Sequence, residues 1–269
     1  MSRLLALERA LERALRDGRA GSLLDVGCGD GAIARWIDSL AICRSIIGID
    51  PDKESIDEAR RLTDSRRVSY RIRSTETMEF PTRRFDVVLM SYVLHHMDDP
   101  TAGMCRVAQV LRPGGRLIVR EPVADGLSPP QMAARELHHL KARIDRLRGI
   151  THNETLACDA IRRVAECAGY HIVTGQIVYG SDGDAPGYPD PCERDATDRA
   201  IEFALSYGGP GLGEAIERMR ERVVETIRCD GVEDQPEMLL VATLRAHAER
   251  PDDPVERYGH ERRDQDQRR

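Results

Sequence analysis

The sequence predicts an α/β protein with a doubly wound, mostly parallel sheet. Two observations carry that reading. Apolar runs of strand length alternate with helix-length amphipathic segments between residues 22 and 122. The first run, "SLLDVGCGDGAI" at 22–33, breaks at an aspartate into three glycines before a helical pattern begins. Five strands with intervening helices require parallel pairing under the right-handed crossover rule.

The elements follow in order. "MSRLLALERALERALRDGRAG" puts Leu4, Leu7, Leu11 and Leu15 on one stripe with charges between them, so residues 1–20 read as an amphipathic helix and not as a signal peptide. "SLLDVG" (22–27) is a buried strand, followed by a helix through "GAIARWIDSL". "RSIIGID" (44–50) is the second strand, and "PDKESIDEARRL" is a helix with Pro51 in its first turn, where a missing N–H is harmless. "RVSYRIRS" alternates like a half-covered strand, whereas "FDVVLMS" (85–91) is continuously apolar. "TAGMCRVAQVLRPGG" is a helix stopped by Pro113 and Gly114, and "GRLIVREP" (115–122) is the fifth strand.

Beyond residue 122 the pattern loosens. "SPPQMAARELHHLKARIDRLRG" is a helix begun after Pro130, and "NETLACDAIRRVAECAG" is another, with Asn153 as its cap and Gly169 as its stop. "YHIVTGQIVYG" and "PEMLLVATLRA" (236–246) are strands, and two helices over 194–206 and 212–228 lie between them. The tail, 247–269, is charged in both signs and nearly without apolar residues, which predicts disorder.

Composition narrows the function classes. Hydrophobic residues make up 41% and charged residues 32%, as in a water-soluble globular chain. A net charge of −6 gives no large basic footprint, so no nucleic acid is expected as a partner. No apolar run approaches the ~18 residues of a membrane span, and a cytoplasmic location is expected. Seven cysteines without a C-x-x-C pair argue against a cysteine zinc site and a disulfide framework. No metal is implied.

The glycine turn sits where ligands bind in open sheets, at the carboxyl ends of the strands. Its spacing fits two ligands. Gly27, Gly29 and Ala32 match the dinucleotide fingerprint, while Gly27, Gly29 and Gly31 match a methyl-donor turn. Asp50, at the end of the second strand, suits ribose hydroxyls in either case. Asp25 is more selective. A carboxylate two residues before Gly27 is awkward beside a diphosphate and favourable beside an ammonium and a sulfonium, each contact being of order 3 kcal/mol at an effective dielectric near 20.

"LLDVGCGDG", "IIGIDPD", "FDVVLMSYVLHHMDDP" and "VLRPGGRLIVREP" stand in the order and spacing of class I S-adenosylmethionine-dependent methyltransferases, and the set resembles the ubiquinone/menaquinone-biosynthesis-type group. The resemblance is strong over 21–122. It implies a Rossmann-like, seven-stranded, mostly parallel sheet with helical insertions and S-adenosyl-L-methionine as cofactor. Carried over by position, Gly27, Cys28 and Gly29 would wrap the methionine part, with Asp25 orienting the turn and the cofactor's amino group. Asp50 would bind the ribose, with Pro51 close to the adenine. The family's acidic residue after the third strand is replaced here by Ser74, followed by Thr75, so a hydroxyl or backbone group would meet the adenine. Met90 and Ser91 would line the wall behind the sulfonium. The implied domain spans 21–179 and 236–246, with a lid helix inserted at 123–150 and a helical insertion at 180–235.

His95, His96 and Glu121 are the catalytic candidates. An imidazole after the fourth strand could take a proton from the acceptor, although an "LHH" pair also serves packing. Glu121 could orient a cationic group or pair with Arg120. Tyr92 reads as wall. The acidic stretch 180–195 could favour a basic substrate or be a solvated loop. The expected function is methyl transfer to an O, N, S or C atom of a small molecule. The alternatives are a protein side-chain methyltransferase, a cofactor-binding protein without turnover, and a nicotinamide dehydrogenase.

Overall fold

The computed structural model describes residues 3–15, 21–180, 195–207 and 213–244. Residues 181–194 of the acidic stretch 180–195, and the tail 247–269, lie outside these residues. In the described residues, eight helices and seven strands run in the order α1 (Arg3–Leu15), β1 (Gly21–Val26), α2 (Ala32–Ser39), β2 (Cys43–Asp50), α3 (Lys53–Arg61), β3 (Val68–Ile72), β4 (Phe85–Ser91), α4 (Pro100–Val110), β5 (Leu111–Pro122), α5 (Pro129–Leu147), α6 (Cys158–Cys167), β6 (Tyr170–Val178), α7 (Asp195–Ser206), α8 (Gly213–Asp230) and β7 (Glu237–Leu244).

The strands form one sheet in the order β3-β2-β1-β4-β5-β7-β6. Pairings from β3 through β5 are parallel, and β7 pairs antiparallel with both β5 and β6. Order reverses between β1 and β4, which are hydrogen-bonded neighbours although β2 and β3 intervene in sequence. That switch leaves a crevice at the strands' carboxyl ends.

Helices cover both faces. Leu7 and Leu11 of α1, Ile37 of α2 and Ile56 of α3 pack on Leu23, Ile46, Val87 and Leu89. On the other face Met104 and Val107 of α4 and Ile161 of α6 pack on Leu24, Ile49, Val88 and Met90. Strand β1 is buried along its whole length, because both faces are covered. A third apolar cluster joins Leu140 and Ile144 of α5, Ala204 of α7 and Met219, Val223 and Ile227 of α8. The two insertions expected at 123–150 and 180–235 therefore share one small core.

Several local expectations are corrected. Helix α4 ends at Val110, and "LRPGG" opens β5 instead, where Gly114 takes φ 76° and the register with β4 shifts between Phe85 and Val87. Pro51 precedes α3; Asp52 is its cap, accepting from the amides of Glu54 and Ser55. Helix α5 starts at Pro129, with Ser128 as N-cap, whose amide donates to Gln131 Oε1 at 3.0 Å. Asn153 caps no helix: α6 begins five residues later at Cys158, and the Asn153 amide donates to the Met97 carbonyl.

A buried ion pair fastens α1 and β5 to β7. Arg120 Nε and Nη2 donate to the two carboxylate oxygens of Glu237 at 2.5 and 3.0 Å, and Arg3 Nη1 lies 3.0 Å from Oε1. All three side chains are 5% exposed or less. Removing one partner of such a set leaves buried charge uncompensated, at a cost of about 3–5 kcal/mol. Glu237→Gln should therefore lower unfolding stability by that amount in urea titration, with a loss under 1 kcal/mol refuting a structural role for the pair.

Candidate active site

The crevice is built from the turn after β1. Gly27, Gly29 and Gly31 all adopt positive φ (71°, 52° and 79°), a region costly for other residues. Their surroundings differ. A Cβ on Gly27 would stand 2.5 Å from Val93 Cγ2, so the first glycine admits the turn after β4. At Gly29 no atom lies within 4 Å of that position, so the second glycine faces open space where a ligand can approach the backbone. The amides of Gly27 and Cys28 both donate to the Ile49 carbonyl, tying the turn to β2. Burial pushes the Cys28 thiol far up, followed by the charges of Asp25 and Asp50, so the side chain is an inert packing group.

Two carboxylates flank this turn. Asp50 accepts from Gly29 N at 3.0 Å through Oδ2 and from Asp52 N at 2.9 Å through Oδ1, and it caps no helix. A carboxylate has about four acceptor positions, so two remain for ligand hydroxyls. Asp25 is 1% exposed and its Oδ2 has no hydrogen-bond partner. Burial, and then the Asp50 charge, raise its pKa to about 7. Ser91 Oγ at the end of β4 is likewise buried without a partner. Met90, in contrast, is fully buried in the core and backs the crevice from beneath the sheet.

The turn after β3 carries Ser74 and buried Thr75. Ser74 N donates to Thr77 Oγ1, and Thr75 Oγ1 donates to Glu76 Oε1 at 2.9 Å. A hydrogen bond from Ser74 is the largest influence holding Glu76 below the usual carboxylate range. Glu76, two residues beyond Ser74, adds a carboxylate to this turn.

Glu121 does not face the crevice as a free carboxylate, nor does it pair with Arg120. It is 2% exposed and fully engaged: Oε1 accepts from the amides of Val93 and Leu94, both at 2.6 Å, and Oε2 lies 2.7 Å from His95 Nδ1. It thereby fixes the turn after β4. Tyr92 enters that turn with φ 57°, its amide donating to the Arg120 carbonyl and its ring lying under the Arg120 guanidinium. A tyrosine in the left-handed region marks a locally strained backbone.

His95 and His96 are not alone. They occupy a 3-10 turn, Leu94–His96, facing His138 of α5 and His152 of the loop after it, with ring centroids 4.3–5.6 Å apart for the pairs of His95 and His96 with each other and with His152. His138 lies 4.9 Å from His95 and 4.8 Å from His152 on the same measure. That loop is strapped to the turn: Asn153 N donates to the His95 carbonyl, and Thr151 Oγ1 donates to Asp98. His152 Nδ1 lies 2.7 Å from Asp145 Oδ2, which Lys141 also contacts. Burial first, and neighbouring imidazoles second, push the pKa of His96 down to about 4 and of His138 to about 3. No general base standing free in the crevice is formed by His95. The pattern "LHH" in α5 offered a signal for this cluster, but nothing in sequence spacing joins residues 138 and 152 to residue 95.

A family profile described as a methyltransferase domain matches residues 24–119. The chain is 35% identical over 99 residues to a ubiquinone biosynthesis O-methyltransferase of Bradyrhizobium sp., covering 36% of this chain and 38% of that protein. Relatives of this kind are spanned over a third to about half of their length. Among solved structures, geranyl diphosphate methyltransferase in complex with S-adenosylmethionine aligns over 90% of this chain and 85% of that one at 13% identity and a TM-score of 0.52. The cyclase SpnF aligns over 91% and 84% at 18% identity and a TM-score of 0.56, so the fold is common to more than one chemistry. No described helix is long and apolar enough to cross a membrane. Residues 24–119 thus match a methyltransferase domain, on a fold shared with S-adenosylmethionine-dependent methyltransferases.

Proposed function

We propose that the chain binds S-adenosyl-L-methionine at the Gly27–Gly29 turn and transfers its methyl group to a nucleophilic atom of a small molecule. One observation carries the reading: the buried Asp25 carboxyl with an unpartnered oxygen stands beside a glycine turn open at Gly29. A buried polar atom without a partner costs about 1–3 kcal/mol, which a ligand donor offsets. An ammonium group is such a donor.

The same geometry disfavours a dinucleotide. The pyrophosphate of such a ligand sits on the amides at a helix N-terminus, and here Asp30 Oδ1 already accepts from Ala32 N at 3.0 Å. A second negative group at that point would be repelled.

The cofactor, once bound, supplies a methyl group on an electrophilic sulfonium. The chain's part is alignment and exclusion of water. Asp25 would receive the amino group and Asp50 the ribose hydroxyls, while Ser74, Thr75 and Glu76 form the polar rim suited to the adenine. Pro51, next to Asp50, fits against its ring. Ser91 would face the reacting centre, and Glu121 acts through backbone by fixing residues 92–94. Likeness to O-methyltransferases favours a hydroxyl oxygen as acceptor. A small acceptor fits the helical core of α5, α7 and α8 as a cover above the sheet, and a cytoplasmic setting is consistent with free thiols at every described cysteine.

Three outcomes are expected. Radiolabelled cofactor incubated with the protein and an extract lacking it should deliver label to the small-molecule fraction on sizing; label confined to macromolecules would replace the small acceptor by a protein. Asp50→Ala should raise the cofactor dissociation constant at least tenfold by calorimetry, and an unchanged constant would defeat the ribose assignment. Asp25 is neutral below its pKa of about 7 and anionic above it. Cofactor affinity should therefore rise as pH increases from about 6 to 7.5, with one-proton release, and Asp25→Asn should flatten the profile. A slope that survives that substitution assigns the proton elsewhere.

A further inference from the structure

Five of the chain's eight histidines, at 95, 96, 138, 139 and 152, gather where α5 and the loop after it meet the turn following β4. Methyl transfer from a sulfonium needs none of them. We propose that His95, His96 and His152 form a binding site for one divalent transition-metal ion of the zinc or cobalt type, with His138 as a fourth, adjoining imidazole.

The ring nitrogens are sorted for this purpose. His95 Nδ1 is committed to Glu121, His152 Nδ1 to Asp145, and His96 Nδ1 lies 3.4 Å from the Thr151 carbonyl. With the proton on Nδ1 in each of these contacts, Nε2 is the lone-pair nitrogen. Metal-binding histidines are oriented in this way, by a carboxylate or carbonyl on the far nitrogen. One ligand atom from each of the three residues lies within 4.8 Å of the others. His152 Nε2 also stands 3.2 Å from His138 Nε2. Two nitrogens held ~2.0–2.1 Å from a tetrahedral zinc ion lie roughly 3.3 Å apart, so this edge already has the required length. The ligand atoms of His95, His96 and His152 lie within 4.8 Å of one another, so these rings must draw together to close on the ion.

The electrostatics agree. Imidazole suits zinc, cobalt, nickel and iron better than magnesium or calcium, which prefer oxygen. Glu121 and Asp145 place two carboxylates one residue removed from the ion, while Lys141 on Asp145 offsets part of that charge. His96 is exposed, giving the ion a route in, whereas His95 and His152 are 3% and 2% exposed. A bound ion would fasten α5 and its loop to the sheet. The site needs no bound cofactor, so it stands or falls separately from the methyl-transfer reading.

The test uses the full chain, stripped with a chelator and titrated with Co(II) alone. One equivalent should bind, with the visible absorption of a four-coordinate nitrogen site. His96→Gln and His152→Gln should each weaken binding at least tenfold and alter that absorption. Glu121→Gln should weaken it about 10–100-fold through the ring it orients. His171→Gln, on exposed β6, should change nothing. Where His152→Gln fails to fold by circular dichroism, the exposed His96→Gln carries the test. Absence of Co(II) binding by the parent chain, or parent-like binding in His96→Gln, overturns the proposal.

Discussion

The reversal of strand order between β1 and β4 is the constraint on which the site depends. Helices that follow β1 and β4 depart to opposite faces, which leaves a crevice at the strand ends between them. Asp25, next to last in β1, and Ser91, at the end of β4, carry buried polar atoms there that no described group satisfies. Nearby, Arg120 is paired with Glu237, and Glu121 with two amides and an imidazole. A buried carboxyl oxygen left unpartnered beside an open glycine turn is a place where a ligand donor would lower the free energy.

Rigidity around the gap has identifiable sources. Glu121 reaches from β5 across to the turn after β4 and holds two amides, while Tyr92 takes a left-handed backbone and is covered by Arg120. These two neighbouring side chains on β5 point to opposite faces, as strand alternation requires. One therefore serves the crevice while the other joins the buried ion pair with β7. The same alternation explains why Glu121 could not pair with Arg120.

The third apolar cluster is an assembly of distant segments. Helix α5 leaves β5, and α7 and α8 precede β7, yet their apolar faces meet in one cluster. His138, midway along α5, and His152 in the loop after it meet His95 at the turn after β4. Strap contacts from Thr151 and Asn153 hold the loop there.

Sequence by itself determined the α/β class, all seven strands within a few residues, and the glycine turn after β1, because each rests on local periodicity or on glycine spacing within one turn. It misjudged boundaries where local signals compete. Pro113 and Gly114 read as a helix stop but belong to a bulged strand opening, and Asn153, read as a helix cap, lies five residues before α6. Which carboxylate is engaged and which is left free was decided only by tertiary structure. Glu121 and Asp25 look alike as residues, but one meets amides across a strand pair and the other lies at the crevice. The histidine cluster was equally invisible, since residues 95, 138 and 152 converge through chain folding and no short-range pattern encodes a distance between them.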